Sequence, residues 1–410
     1  MNFNKYLENY ANLIVVSGLN VQKQQTVVIE AEVESVELVR LVTKYAYRQG
    51  AKEVVVRYSD EVVTRLKYEN CEQSVFETVP TWLSNFKNDY AAMNACFLSI
   101  ISDDPEAFKG VDPTKMASWS KSVNKECRVF RDLLENSTNA WCIVGASSVK
   151  WANRVFPDMS DKEAYDALWS AIFKATKADQ EDPNAAWIEH RASFERRVKY
   201  LNELNIDTLT YTNNLGTNVK VSLMEGYLFA GGGNYLQNGL YNIPNIPTEE
   251  IFASPIFDKT EGIVYSSLPL NYNGNIIDEF YMEFKDGRVV NYGAKKGYDV
   301  LKEMIEFDEG SHYLGEIALV PYDSPISNMN ITFLNTLFDE NAVCHFAIGK
   351  GFSECIVGGY EMTKEELQEK GINDSLLHVD FMIGTNDLHI VASSKDGQEI
   401  EVFKEGNFVF

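Results

Sequence analysis

Histidine is scarce in this chain of 410 residues: there are five, at positions 190, 312, 345, 378 and 389. Four of them fall in the last hundred positions. Two of those stand close to carboxylates. His378-Val379-Asp380 is the tightest pairing, and Glu340 precedes His345 by five residues in DENAVCHFAIG. Upstream come Glu316, in LGEIALVP, and Glu250, in NIPTEEIF. Carboxylate and imidazole are the donors that borderline divalent ions such as zinc, cobalt and manganese accept. The chain has no CxxC pair. A metal site in it would therefore be built from nitrogen and oxygen donors.

His378 and Asp380 lie in a short apolar run, 376–383, closed by Gly384. Such a run suits a buried strand. In a strand, residues i and i+2 project from the same face, so the two side chains would stand side by side with Val379 turned away. A buried carboxylate needs a partner. A cation held by both residues is one solution, and a metal-free His–Asp hydrogen bond is the other. Glu340 and His345 do not share a helical face at their spacing. FDEN reads as a turn, followed by an apolar run, 342–348, that contains the histidine. Alone, His345 reads as a satisfied core histidine. Two acids and two histidines in apolar surroundings read better as a metal site. Cys344 is a possible thiolate ligand, but its apolar neighbours and its opposite facing in a strand favour a buried hydrophobe.

The elements that must position these groups divide into two parts. Residues 25–31 (QTVVIEA) and 53–57 read as strands, and 33–49 reads as a helix that Gly50 ends. This β-α-β pattern predicts a parallel sheet. Residues 95–102 and 140–146 read as further strands, with a mostly helical stretch at 112–134 that has Pro113 in its first turn. The turn after the first strand, AEVES, has no glycines, which argues against a dinucleotide site. Residues 161–205 are helical, and His190 reads there as a surface histidine. Beyond 205 the chain turns β-rich, with strands expected near 208–212, 218–223, 262–267 and 279–285 separated by Asn-Gly and Asp-Gly turns. The Gly-rich 230–234 (AGGGN) reads as a loop. The expectation is an α/β N-terminal domain with a parallel sheet, 1–205, and a β-rich α+β metal-binding domain, 206–410.

Composition limits the partners. The net charge of −23 disfavours nucleic acid and anionic membranes, whose recognition needs clustered Lys and Arg. No window is apolar enough to span a bilayer. The N-terminus carries polar and acidic breaks where a signal peptide has its apolar core. Six scattered cysteines suit reduced thiols in a cytoplasm.

Five blocks occur in order: NIPTEEIF, LGEIALVP, NTLFDEN, HFAIG and HVDFMIG. Together with PLNYNGNIID, FKDGRVV and the FKEGNF tail, they resemble the metallo-aminopeptidase family typified by aminopeptidases T and S and PepS. The resemblance spans essentially the whole chain. It implies a cytoplasmic homodimer of two-lobed chains that hydrolyses N-terminal residues from short peptides, using two divalent ions (Zn, Co, Mn or Mg). It implies Glu250, Glu316, Glu340, His345, His378 and Asp380 as the ligand set. Glu316 is, on chemical grounds, the candidate to carry the proton from water to the leaving amine. One position departs from the family. Phe352 stands where the family has a tyrosine able to hydrogen-bond the oxyanion. Three readings follow: the metals suffice, Tyr313 or Tyr360 substitutes, or the chain is a metal-dependent peptide-binding protein with weak catalysis.

Overall fold

The computed structural model describes residues 2–410. They fall into two compact units: Met1–Ala192 with Gly233–Thr248, and Ser193–Gly232 with Glu249–Phe410. The composition changes near 205, whereas the units part within the helix Pro183–Glu203. Residues 233–248 return to the first unit because Asn245–Ile246 adds a parallel strand beside Trp141–Gly145.

In the first unit five strands form a sheet in the order Asn245–Ile246, Trp141–Gly145, Cys96–Ile101, Thr26–Glu32, Glu53–Ser59. Every neighbouring pair is parallel. Strands of parallel sheets are covered on both faces and read as continuous apolar runs. Val27, Val28 and Ile29 are accordingly buried in succession. The crossover between the first two strands is a 3-10 turn, Val33–Ser35, leading into the helix Val36–Gln49. Gly50 ends that helix in the left-handed region at φ 100°. The 112–134 stretch is two helices, Pro113–Glu126 and Arg128–Glu135, that break at Cys127.

The second unit holds a nine-stranded antiparallel sheet and a five-stranded one, and residues of both sheets share one hydrophobic core. The smaller sheet runs in the order His378–Met382, His345–Gly349, Leu314–Leu319, Ile251–Ala253, Ala230–Gly231, each strand antiparallel to the next. Register decides its two faces. Ile317, Phe346 and Phe381 lie in one row across three strands. They pack into the core, where the Phe346 ring meets Tyr211 at 4.9 Å and Phe381 at 6.2 Å. The adjacent row is Glu316, Ala347 and Asp380. Side chains alternate between faces along a strand, so that row, with His345 and His378, projects from the opposite side.

The 230–234 stretch is not a plain loop. Ala230–Gly231 is the edge strand, paired with Phe252 and Ile251. A Cβ on Gly231 would lie 2.5 Å from the Glu250 carbonyl oxygen. Glycine is what lets this strand close against the backbone of Glu250. FDEN also differs from expectation: Thr336–Asp339 is a single helical turn with Glu340 as its C-cap. The Asp339 carboxylate accepts from the backbone N–H groups of Phe333 and Asn335 at 2.7 and 3.0 Å, and these bonds hold the turn in place.

Candidate metal centre

The sheet gathers five of the six expected residues into two groups that share a member. Ligand atoms of Glu250, Glu316 and His345 lie within 4.8 Å of one another, as do those of Glu316, His378 and Asp380. Glu316 belongs to both. It stands on the central strand Leu314–Leu319 and is buried, at 4% exposure. His345 Nε2 lies 3.2 Å from Glu250 Oε2. His378 Nε2 lies 3.1 Å from Glu316 Oε2 and 3.3 Å from Asp380 Oδ1. The His378 and Asp380 side chains are 27% and 16% exposed, so their end of the site is open rather than dry. Glu340 is buried but belongs to neither group. The charges of Asp380, Glu250 and Glu316 nonetheless act on it.

Both imidazoles are oriented in the same way. His345 Nδ1 donates to the Glu340 carbonyl at 2.8 Å, and His378 Nδ1 donates to the Lys350 carbonyl at 2.7 Å. With its proton on Nδ1, a neutral imidazole turns the Nε2 lone pair toward the carboxylates. Two lone pairs facing each other at this distance repel unless a cation or a proton lies between them. An Nδ1–H anchored on a carbonyl is the usual support of a metal-binding histidine.

Electrostatics lead to the same place. Burial pushes the Glu316 carboxyl up to about 7, against the pull of the His378 hydrogen bond. Burial, reinforced by Asp380 and Glu250, drives the Glu340 carboxyl well above its usual range. For His345, burial disfavours the cation, but the Glu250 hydrogen bond and charge outweigh it and raise the imidazole to about 10. His378 is raised too: burial opposes its cation, and Asp380 and Glu316 overcome that. Burial likewise opposes ionisation of Asp380, yet the His378 cation holds that carboxyl below its ordinary value. In the protein alone, protons occupy positions that this surplus of buried negative charge reserves for cations. All-nitrogen-and-oxygen donors, anchored imidazoles and a shared carboxylate fit divalent metal.

The other sequence candidates have structural roles. Cys344 is buried, its thiol donates to the Val320 carbonyl at 3.3 Å, and burial lifts it to about 12. His190 is half-buried rather than a free surface group: Nε2 meets the Thr248 carbonyl at 3.0 Å and its ring sits edge-on to Trp187. The Phe352 ring packs 4.9 Å from His378 and 5.3 Å from Phe252. The Tyr360 hydroxyl donates to Glu354 at 2.7 Å, and the Tyr313 hydroxyl accepts from Arg288 at 3.3 Å. The carbonyls of Glu340 and Lys350 left no mark in the sequence, because any residue supplies one.

The family model described as "Thermophilic metalloprotease (M29)" matches residues 3–408. The chain belongs to this family. It is therefore a metallo-aminopeptidase hydrolase acting on peptides, and membership implies a divalent metal. The M29 chain is 43% identical to aminopeptidase AmpS of Bacillus subtilis, over 100% of this chain and 99% of that one. It is 35% identical to aminopeptidase T of Thermus aquaticus, over 99% of each. The solved structure of wild-type AmpT from Thermus thermophilus superposes with a TM-score of 0.91 at 34% identity, covering 100% of both chains. The fold class is as expected: an α/β region with a parallel sheet and a β-rich region with mixed helices. No helix among the described residues is long and apolar enough to cross a membrane.

Proposed function

We propose that the chain removes N-terminal residues from short peptides at a two-metal site held by Glu250, Glu316, Glu340, His345, His378 and Asp380. The observation that carries this reading is the membership of Glu316 in both ligand groups, since one carboxylate can bridge two ions. Four carboxylates and two neutral imidazoles carry the charge that two divalent cations balance. When bound, such a pair supplies Lewis acidity and an activated water. Glu250 and His345 hold one side of the site, and His378 and Asp380 hold the other. Glu316 stands between them and is assigned the transfer of the water proton to the leaving amine. Phe352 and Phe252 form an apolar wall beside His378 that excludes water from one flank. Six unpaired cysteines support a reducing compartment such as the cytoplasm. The homodimer implied by the resemblance of the sequence blocks belongs to the same proposal, and the composition change near 205 supports a first domain ending there.

The test is release of free amino acid from short peptides, using protein stripped with chelator and reloaded separately with zinc, cobalt, manganese or magnesium. Reloaded wild type should cleave, and Glu340→Ala and His378→Ala should not. Phe352 supports a second reading, a metal-dependent peptide-binding protein with weak catalysis. That reading prevails if wild type is silent with every metal while Phe352→Tyr cleaves.

A further inference from the structure

We infer that Asn341 is a positioning residue that governs one half of the metal centre, the Glu250–His345 half, and leaves the His378–Asp380 half untouched. The inference rests on the two-metal reading.

Asn341 is completely buried. A buried side-chain amide is costly unless its donors and acceptor are used, and this one has partners on both ends. Its Oδ1 accepts the backbone N–H of Glu249 at 2.7 Å, which fixes the Thr248–Glu249 peptide unit, one residue ahead of Glu250. Its Nδ2 donates to the Leu337 carbonyl at 2.9 Å and to Glu340 Oε1 at 3.3 Å. One amide thus ties the segment that leads through Glu250 into the strand Ile251–Ala253 to the helical turn Thr336–Asp339 that Glu340 caps, and it also contacts the Glu340 carboxylate. The carbonyl of Glu340, one residue away, receives the Nδ1–H of His345. Glu250, Glu340 and His345 are all located through this one joint. The other half has its own support. His378 is anchored on the Lys350 carbonyl, and Asp380 is set by the pairing of its strand with His345–Gly349. None of these three Asn341 hydrogen bonds reaches either residue.

Asparagine is the side chain that this joint requires. Aspartate keeps the acceptor for the Glu249 N–H but loses the donor and sets a second negative charge against Glu340. Alanine loses both ends. Leucine, of similar size, would strand the Glu249 amide in a buried position.

The experiment is a calorimetric titration of metal-free protein with manganese or cobalt, comparing wild type, Asn341→Asp and Asn341→Ala. Cobalt absorption bands serve as an independent readout of each site's coordination. Wild type should take up two ions. In both variants one ion should bind with unchanged affinity, and the other roughly 10–100-fold more weakly, the usual cost of losing an orienting hydrogen bond at a metal site. The change in cobalt bands should be confined to the weakened site. Two unchanged affinities, or an equal loss at both sites, would overturn the inference while leaving the two-metal reading in place. Wild type that takes up a single ion would overturn the two-metal reading, and the inference with it. Should Asn341→Ala fail to fold, Asn341→Asp decides alone, since it is isosteric and keeps the bond to Glu249.

Discussion

Phe352→Tyr adds one oxygen to a ring already in place. The ring lies between Phe252 and His378, both on the ligand-bearing side of the sheet. Its backbone is pinned by the Phe352 N–H bond to Ser254 Oγ at 2.9 Å. The ring is only half-buried, so a new hydroxyl can be hydrated in the free enzyme, and stability should stay within roughly 0.5 kcal/mol of wild type. The gain belongs to the transition state. A single oxyanion donor is typically worth about 10²–10³ in turnover, or roughly 2.7–4 kcal/mol. A donor that acts only on the developing oxyanion raises kcat and kcat/KM together and leaves KM nearly constant. The assay is steady-state release of the N-terminal residue from a short peptide by metal-loaded wild type and variant, with metal content measured on the same samples. A folded, fully loaded variant whose kcat equals that of wild type would refute the placement of this ring beside the reacting carbonyl.

Four further outcomes follow from the same geometry. Glu316→Ala removes the residue common to both ligand groups, so it should weaken both ions by more than the roughly 10–100-fold that losing an orienting hydrogen bond costs; loss of one ion with the other intact, by elemental analysis, would contradict a bridging role. Metal uptake by stripped protein near pH 7 should release protons, because His345, raised to about 10, still holds its proton and Glu316, raised to about 7, is partly protonated; a pH-stat measures the release. The same shifts set the stability of the stripped protein: His345 contributes fully below its unfolded value near 6.5 and loses that contribution as pH rises through about 10, while Glu316 has begun to destabilise above its unfolded value near 4.5, so the melting temperature should fall from neutral to alkaline pH and a rise would contradict the signs. Phe346→Ala empties a fully buried ring site between Tyr211 and Phe381 and should cost about 3–5 kcal/mol in denaturant unfolding.

The sequence carried the chemistry-bearing residues well, because carboxylates and histidines inside apolar runs stand out. Alternation placed His378 and Asp380 on one face, and it separated Cys344 from His345. The βαβ start was legible from periodicity and from Gly50. What could not be read was pairing at a distance. That Glu316 lies between two groups depends on which strand is central, and no local pattern fixes strand order. The short turn at Thr336–Asp339 was hidden because the propensities of FDEN favour turns, while the Asp339 bonds to Phe333 and Asn335 are tertiary. The edge strand at Ala230–Gly231 was hidden for the opposite reason. Its glycine, Gly231, is there for the close approach of Glu250, and in sequence that looks like flexibility. Asn341 lay inside a recognised block, but an amide carries no charge to mark it.

The alternation that puts Ile317, Phe346 and Phe381 inward and Glu316, Ala347 and Asp380 outward also bears on how such a protein can change over generations. Inserting or deleting one residue in any of these three strands would exchange the two sets. It would drive ionisable groups into the hydrocarbon interior and abolish folding before any loss of turnover could be sampled. Natural selection for a folded chain therefore polices the reaction centre without testing it. Substitutions can drift one position at a time, whereas length changes are confined to the connecting loops. Directed-evolution libraries built on this scaffold should follow the same rule and vary loop length freely while holding the three strands at fixed length.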